Sequence, residues 1–414
     1  MPQKLSPRIR ISFPLLALTL QCIIIVLFVL FMDYHEYSPK KYIATYAVFQ
    51  DVNTMIFLGF GFMATFLKRY GRSGIAFNML LAAFALQWAT ILEGLFFEFE
   101  NSKIRINMTS VIHADLSAVS ALVSIGAILG NTSHIQLLLM AILEVTSFTA
   151  NKWLLKFLFQ IDRKTSAMYL HLFGAMFGLT VSRILYRPGL QKGHEKKGSL
   201  PISDLFSMIG TSFLWMFWPS FNAALLTLNR AKAVYNTYYA LAACTIATFA
   251  ISSQIHNKGK LDMSHIRNAM LAGGVAVGLS APLIPSAYIA MIIGFIAGGT
   301  STLGMKYLKG TLEVYLNLND TSGILYTHGL PGIIGGIVYI VLLSVPSVSE
   351  DLQRVKTSHT DYWQTALFVT MTMGILTGFV TGLILKLKIW KQPSDLKCYD
   401  DQIYWKFPHL ATMI

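Results

Sequence analysis

Tyr169-Leu170-His171-Leu172-Phe173-Gly174-Ala175-Met176-Phe177-Gly178 opens one apolar segment, and Tyr326-Thr327-His328-Gly329-Leu330-Pro331-Gly332-Ile333-Ile334-Gly335 opens another. Each reads Tyr-x-His followed by small residues. A glycine stands seven positions after each histidine (Gly178, Gly335) and a valine ten after it (Val181, Val338). The copies lie five apolar segments apart, and an odd number of crossings turns the second copy upside down in a bilayer. That is the pattern of inverted-topology repeats, whose shared site lies near the bilayer midplane. Ionisable groups inside a membrane are costly, so they line a cavity or pair with one another. The glycines at Gly174, Gly178, Gly332 and Gly335 share helix faces and permit close backbone approach. Two inverted helices would then bring His171 and His328 together. Neutral imidazoles in contact form a donor–acceptor pair that hands on a proton or holds a polar solute. The plainer reading, two separate histidines each bonded to a backbone carbonyl, leaves their matched placement unexplained.

The surrounding sequence agrees with a membrane setting. Of 414 residues, 54% are hydrophobic and 13% charged, about half the charged fraction of a soluble domain. A bilayer core of about 30 Å needs about 20 apolar residues in a helix. Spans of that kind begin near Ile11, Tyr46, Ile75, Thr109, Ile135, Ser166, Ile202, Tyr235, His265, Ser286, Gly323 and Trp363. The expected fold is all-α, with about twelve transmembrane helices. Residues 46–200 and 201–345 form two inverted five-helix halves. Residues 1–45 add an N-terminal segment with an extra first helix and a loop, and 346–414 a last helix and tail. The first apolar run is longer than a signal-peptide core and reads as a retained anchor.

Lys/Arg bias orients the spans. One set of loops carries Lys4, Arg8, Arg10, Lys68, Arg69, Arg72, Arg183, Arg187, Lys192, Lys258, Lys260, Lys306, Lys309, Lys386 and Lys388; the other mixes in Asp33, Glu36, Glu98, Glu100, Glu350 and Asp351. Both termini are therefore expected in the cytoplasm. The sequon at Asn107 would face outside, and those at Asn131 and Asn319 would not.

Composition also excludes functions. The net charge of +13 sits in short loops and not on one basic face, which argues against nucleic acid. Cys22, Cys244 and Cys398 show no metal or disulfide spacing. No catalytic triad, metalloprotease or phosphate-loop motif occurs, so neither enzyme activity nor a cofactor nor a metal is expected. Asp51, Glu93 and Glu144 fall in or near spans and read first as buried interhelical hydrogen-bonding groups.

Several longer stretches carry a family resemblance: 55–70 (MIFLGFGFMATFLKRY), 81–88 (LAAFALQW), 213–222 (FLWMFWPSFN), 271–278 (LAGGVAVG), 328–338 (HGLPGIIGGIV), 387–390 (LKIW) and 400–410 (DDQIYWKFPHL). Over essentially its whole length the chain resembles the Rh branch of the ammonium transporter/Rh superfamily. The segments 13–20, 283–286 and 388–410 look most like the Rh blood-group D/CE type, whereas 251–263 is similar to the Rh-associated glycoprotein. Human D/CE proteins lack the twin histidines of ammonia-conducting members. This chain keeps both, which suggests a non-mammalian or otherwise diverged protein of that type.

The resemblance implies a plasma-membrane trimer with one pore per subunit. Ammonium loses its proton outside and ammonia crosses a hydrophobic lumen past His171 and His328. Phe221 matches one of the family's two gate phenylalanines, and the other falls at Leu116. The family's recruitment acid falls at Arg163, a position expected to oppose cations unless Asp162, one residue earlier, takes the role. Two further readings go with the resemblance. One is a non-transporting subunit that assembles with a Rh-associated glycoprotein and binds a cytoskeletal adaptor through a tail that otherwise covers the cytoplasmic mouth. The other is a carbon dioxide channel through the same apolar lumen.

Overall fold

A backbone surrounded by hydrocarbon must satisfy its own N–H and C=O groups, and the helix does so within one segment. The computed structural model describes residues 7–34, 39–192, 194–345 and 362–406. Ten helices there are long and apolar enough to cross a membrane. They include Ile11–Phe31, Tyr42–Phe66, Gly71–Phe97, Met108–Ile128, His134–Phe159 and Arg163–Ile184 in the first half of the chain, and Arg230–Gln254, Ala287–Tyr315, Leu325–Leu343 and Gln364–Leu385 in the second. The helix Pro201–Asn222 and a broken segment, Met263–Ala269 followed by Ala272–Val277, complete the twelve expected spans. Lys4, Glu36, Glu350 and Asp351, used above to orient the chain, lie outside the described residues, as does the boundary at 346.

The fold is helical but not purely so. Met32–Tyr34, Phe99–Glu100 and Lys103–Ile106 form a three-stranded sheet, in which the strand Lys103–Ile106 pairs parallel with the first and antiparallel with the second. This marks one face of the protein, here the sheet face. The opposite face, the tail face, carries the start of the first span and the C-terminal segment.

The first span is nearly bare of protein contacts, with Leu15, Leu18 and Val29 exposed, as suits lipid. It is pinned at three levels. Phe13 meets His134 edge-on with ring centroids 4.3 Å apart. Gln21 and Gln87 exchange side-chain amide hydrogen bonds of 2.7 and 3.3 Å. Lys103 donates to the Leu30 carbonyl at 3.0 Å.

The glycines on the repeat allow what their spacing suggested. A Cβ at Gly178 would lie 2.5 Å from the Ser124 carbonyl oxygen in the fourth span, and one at Gly335 2.7 Å from that of Ala276 in the ninth. The sixth span therefore packs on the fourth, and the eleventh on the ninth, in the same manner. A Cβ at Gly332 would touch Leu172 at 3.2 Å, so the two histidine-bearing helices cross beside His171.

Three departures from regular helix have local remedies. Met55–Gly59 and Leu325–Gly329 are π-helical turns, a geometry that leaves carbonyls free and recurs at functional sites. Asn78 Nδ2 donates to the Ile56 carbonyl at 3.0 Å. At the broken ninth span, Cys244 Sγ donates to the Ala269 carbonyl at 3.0 Å and accepts the Gly273 N–H at 3.1 Å. Cys244 thus acts as a helix-break filler.

The C-terminal segment covers the tail face. Asp401 accepts the backbone N–H groups of Arg72 and Ser73, both at 2.9 Å, and so caps the third span from a distance in sequence. Tyr399 N–H donates to Gly130 at 2.7 Å. Arg187 pairs with Asp395 at 3.2 Å and Lys196 with Asp400 at 3.3 Å. Burial pushes the Cys398 thiol up to about 11, an effect only partly offset by Arg187.

Candidate functional site

His171 and His328 meet. Their rings stack with centroids 5.0 Å apart and planes 16° from parallel. Phenylalanine rings flank the pair on both sides, stacked at His328 and tilted at His171. Phe221, near the sheet-face end of the seventh span, lies 5.9 Å from His171, and Phe60, directly after the first π-turn, lies 6.3 Å from His328. Trp218 flanks both imidazoles at 5.4 and 6.3 Å. Pro201–Asn222 supplies Trp218 and Phe221 one helical turn apart, hence on one face. Their spacing was visible in the sequence, although only Phe221 was singled out there.

The eleventh span is started by a carboxylate. Asp320 accepts N–H groups from Gly323 (2.9 Å), Ile324 (3.0 Å) and Leu325 (3.0 Å). It thereby caps the turn that holds His328. The Asp-Thr-Ser-Gly run before an apolar segment is the kind of N-cap signal that reveals such a residue.

The stacked rings leave polar atoms unanswered. Both nitrogens of His171, Nδ1 of His328 and the indole Nε1 of Trp218 have no hydrogen-bond partner. All three side chains are buried. Buried polar atoms are normally satisfied, and orphans call for an explanation. Four around one point are what a lumen needs if a small polar solute is to bridge them in passing. On the tail-face side of His328 a cavity of about 60 Å³ opens, walled by Phe60, Leu81, Leu122, Val123, Ile125 and Ile324 among others. Its wall is mostly apolar.

The remaining predicted residues are placed differently. Leu116 is fully buried within the same apolar cluster as Phe221. Asp162 is exposed, at the start of the helix Arg163–Ala167. Arg163 does not stand as a bare positive charge. Its guanidinium pairs with Glu93 at 2.9 Å and with Glu98 at 2.5 Å and lies over the Phe97 ring. Glu93 also bonds the fully buried Lys152, whose Nζ donates to Ser117 Oγ at 2.7 Å. Two acids and two bases balance. Glu144 accepts from Ser120 at 2.5 Å and Ser124 at 3.3 Å. Glu93 and Glu144 are thus interhelical hydrogen-bonding groups. No group of three or more metal-ligating side chains occurs among the described residues.

Helical spans packed around stacked histidine rings and a mostly apolar cavity define a polytopic membrane protein, and the family to which it belongs is one of transporters and not of enzymes. The chain belongs to the ammonium transporter family, whose model matches residues 15–404. It is 43% identical to the ammonium transporter Rh type B of Danio rerio over 97% of this chain and 94% of that protein. It is 44% identical to the Rh type C transporter of Xenopus tropicalis over 96% and 93%. Among solved structures it is similar to Nitrosomonas europaea Rh50, described as a conducting channel of the Rhesus protein family. That match has a TM-score of 0.76 and 27% identity, and covers 91% of this chain and 96% of that one. Yeast Mep2 shares the fold, with a TM-score of 0.67 and 16% identity.

Proposed function

We propose that the chain forms a passive channel for ammonia, with His171 and His328 at its narrowest point. The observation that carries this reading is the cluster of unsatisfied nitrogens on two stacked imidazoles beside an apolar cavity. Ammonium would lose its hydration in such a lumen at high cost, whereas neutral ammonia loses little. Names of the relatives point to the same solute. Phe221 and Leu116 form the gate on the sheet face. Asp162, exposed there, attracts ammonium modestly, because an exposed charge is screened by salt. The neutralised Arg163 does not oppose it.

The sheet face is outside the cell and both termini are in the cytoplasm of a plasma-membrane protein, as the Lys/Arg distribution indicates. Residues 46–200 and 201–345 are the inverted halves. Three copies assemble around a common axis, each with its own path. The test is an ammonium pulse applied to proteoliposomes, with internal pH followed by stopped flow. Faster alkalinisation than in empty liposomes is expected. An equal rate with the assembly intact refutes the reading.

A further inference from the structure

The tail-face cavity ends on a positive charge. Arg267, in the first piece of the broken ninth span, lines the same cavity as His328. It is 4% exposed, its Nε has no hydrogen-bond partner, and its guanidinium stacks over the Phe66 ring with 4.1 Å to the centroid. Among the described residues the only carboxylate within ion-pair reach is Asp204, at 3.9 Å. Asp204 is not part of the cavity wall. Its side chain is 17% exposed against 5% for Arg267. Asp262, five residues before Arg267, is exposed at the tail face. Asp204 Oδ1 is itself buried, but at 3.9 Å it makes no hydrogen bond with the guanidinium, which stands in the wall of a mostly apolar cavity and is only loosely paired.

We propose that Arg267 is a selectivity residue that excludes cations from the tail-face half of the lumen, so that this half admits neutral ammonia and rejects ammonium, methylammonium and potassium. This rests on the channel reading above. A positive side chain at a constriction is a general means of rejecting cations. Arginine stays charged at every physiological pH, so the barrier does not depend on protonation of the histidines. At an effective dielectric of about 20, two like unit charges about 10 Å apart repel enough to change an occupancy roughly tenfold. The residue works through its field and not through contact with the solute, which makes charge the variable to alter.

Wild type, R267Q, R267K and N268D are reconstituted in proteoliposomes. In each, ammonia flux is read by internal pH and charge movement by currents on a supported membrane, after pulses of ammonium and of potassium. For R267Q the charge moved per ammonia transported should rise about tenfold, and a potassium current should appear. R267K should match wild type. N268D, which puts a carboxylate on the same cavity wall while keeping Arg267, should behave like R267Q. An unchanged ratio and no potassium current in R267Q overturn the proposal. If R267Q does not assemble, the same null result in N268D overturns it. The potassium pulse reads cation exclusion even where ammonia flux is absent from all four proteins. Failure of this inference and failure of the channel reading are therefore distinguishable.

Discussion

His171 and His328 lie face to face at 5.0 Å between ring centroids, with no hydrogen bond between them and Trp218 against both. The contact belongs to the pair and not to either residue. H171L and H328L should each lower ammonia flux roughly fivefold to a hundredfold, the range for losing one polar partner in a dry site. The double variant should fall short of the product of the two, since contacting residues are not additive. Stopped-flow pH traces on the three proteins check this.

Asp320 positions His328 without touching it. D320A removes the acceptor for three N–H groups. It should cost about 1–2 kcal/mol, as loss of a strong N-cap does, and reduce flux together with thermal stability. D320N, which keeps one oxygen acceptor, should recover part of both.

Glu93 answers two bases at once. E93A leaves Lys152 and Arg163 without their shared acid in a buried setting, at a cost of about 3–5 kcal/mol. Combining E93Q with K152M removes charge from both sides and should regain much of that loss. Melting temperatures in detergent decide. A double variant no more stable than E93A would show that the pair is not coupled.

Gly178 separates packing from helix propensity. G178A drives a methyl group against the backbone of Ser124 and should cost about 1–3 kcal/mol, as overpacking does. G310A is its control, because nothing lies within 4 Å of a Cβ there. Within the helix Ala287–Tyr315 that change should be neutral or gain about 0.5–1 kcal/mol. Both are read from thermal unfolding of the assembled protein.

The docked tail should protect Cys398. Buried and with its thiol raised to about 11 by burial, it is a protonated, poorly nucleophilic thiol at neutral pH. D401A removes the acceptor that ties the tail to the third span. Maleimide labelling of Cys398 should then accelerate at unchanged pH, as followed by mass spectrometry.

The helices and the histidine pair were legible because hydropathy and a repeated Tyr-x-His pattern are local signals. The break in the ninth span was not. Ala269 to Val277 is uniformly apolar in composition, and what allows the interruption is Cys244, on another helix. The sheet was missed because its three strands are only two to four residues long. The ion pairs of Arg163 were not legible for a related reason. In sequence it stands next to Asp162, but the acid that matters is Glu93 in the third span, with Lys152 sharing it. Charge balance among side chains so far apart along the chain is a property of the packed helices. Arg267 gave no signal of its own, for nothing in its neighbours shows that it faces a cavity.

Gln21 and Gln87 exchange amide hydrogen bonds midway along the first and third spans. The first span is made first, so Gln21 enters hydrocarbon before its partner exists. An amide there is without an acceptor until the third span has followed. Each amide satisfies the other in a setting where water cannot, so the pair fixes both the depth and the rotation at which an otherwise lipid-facing helix sits against the third span.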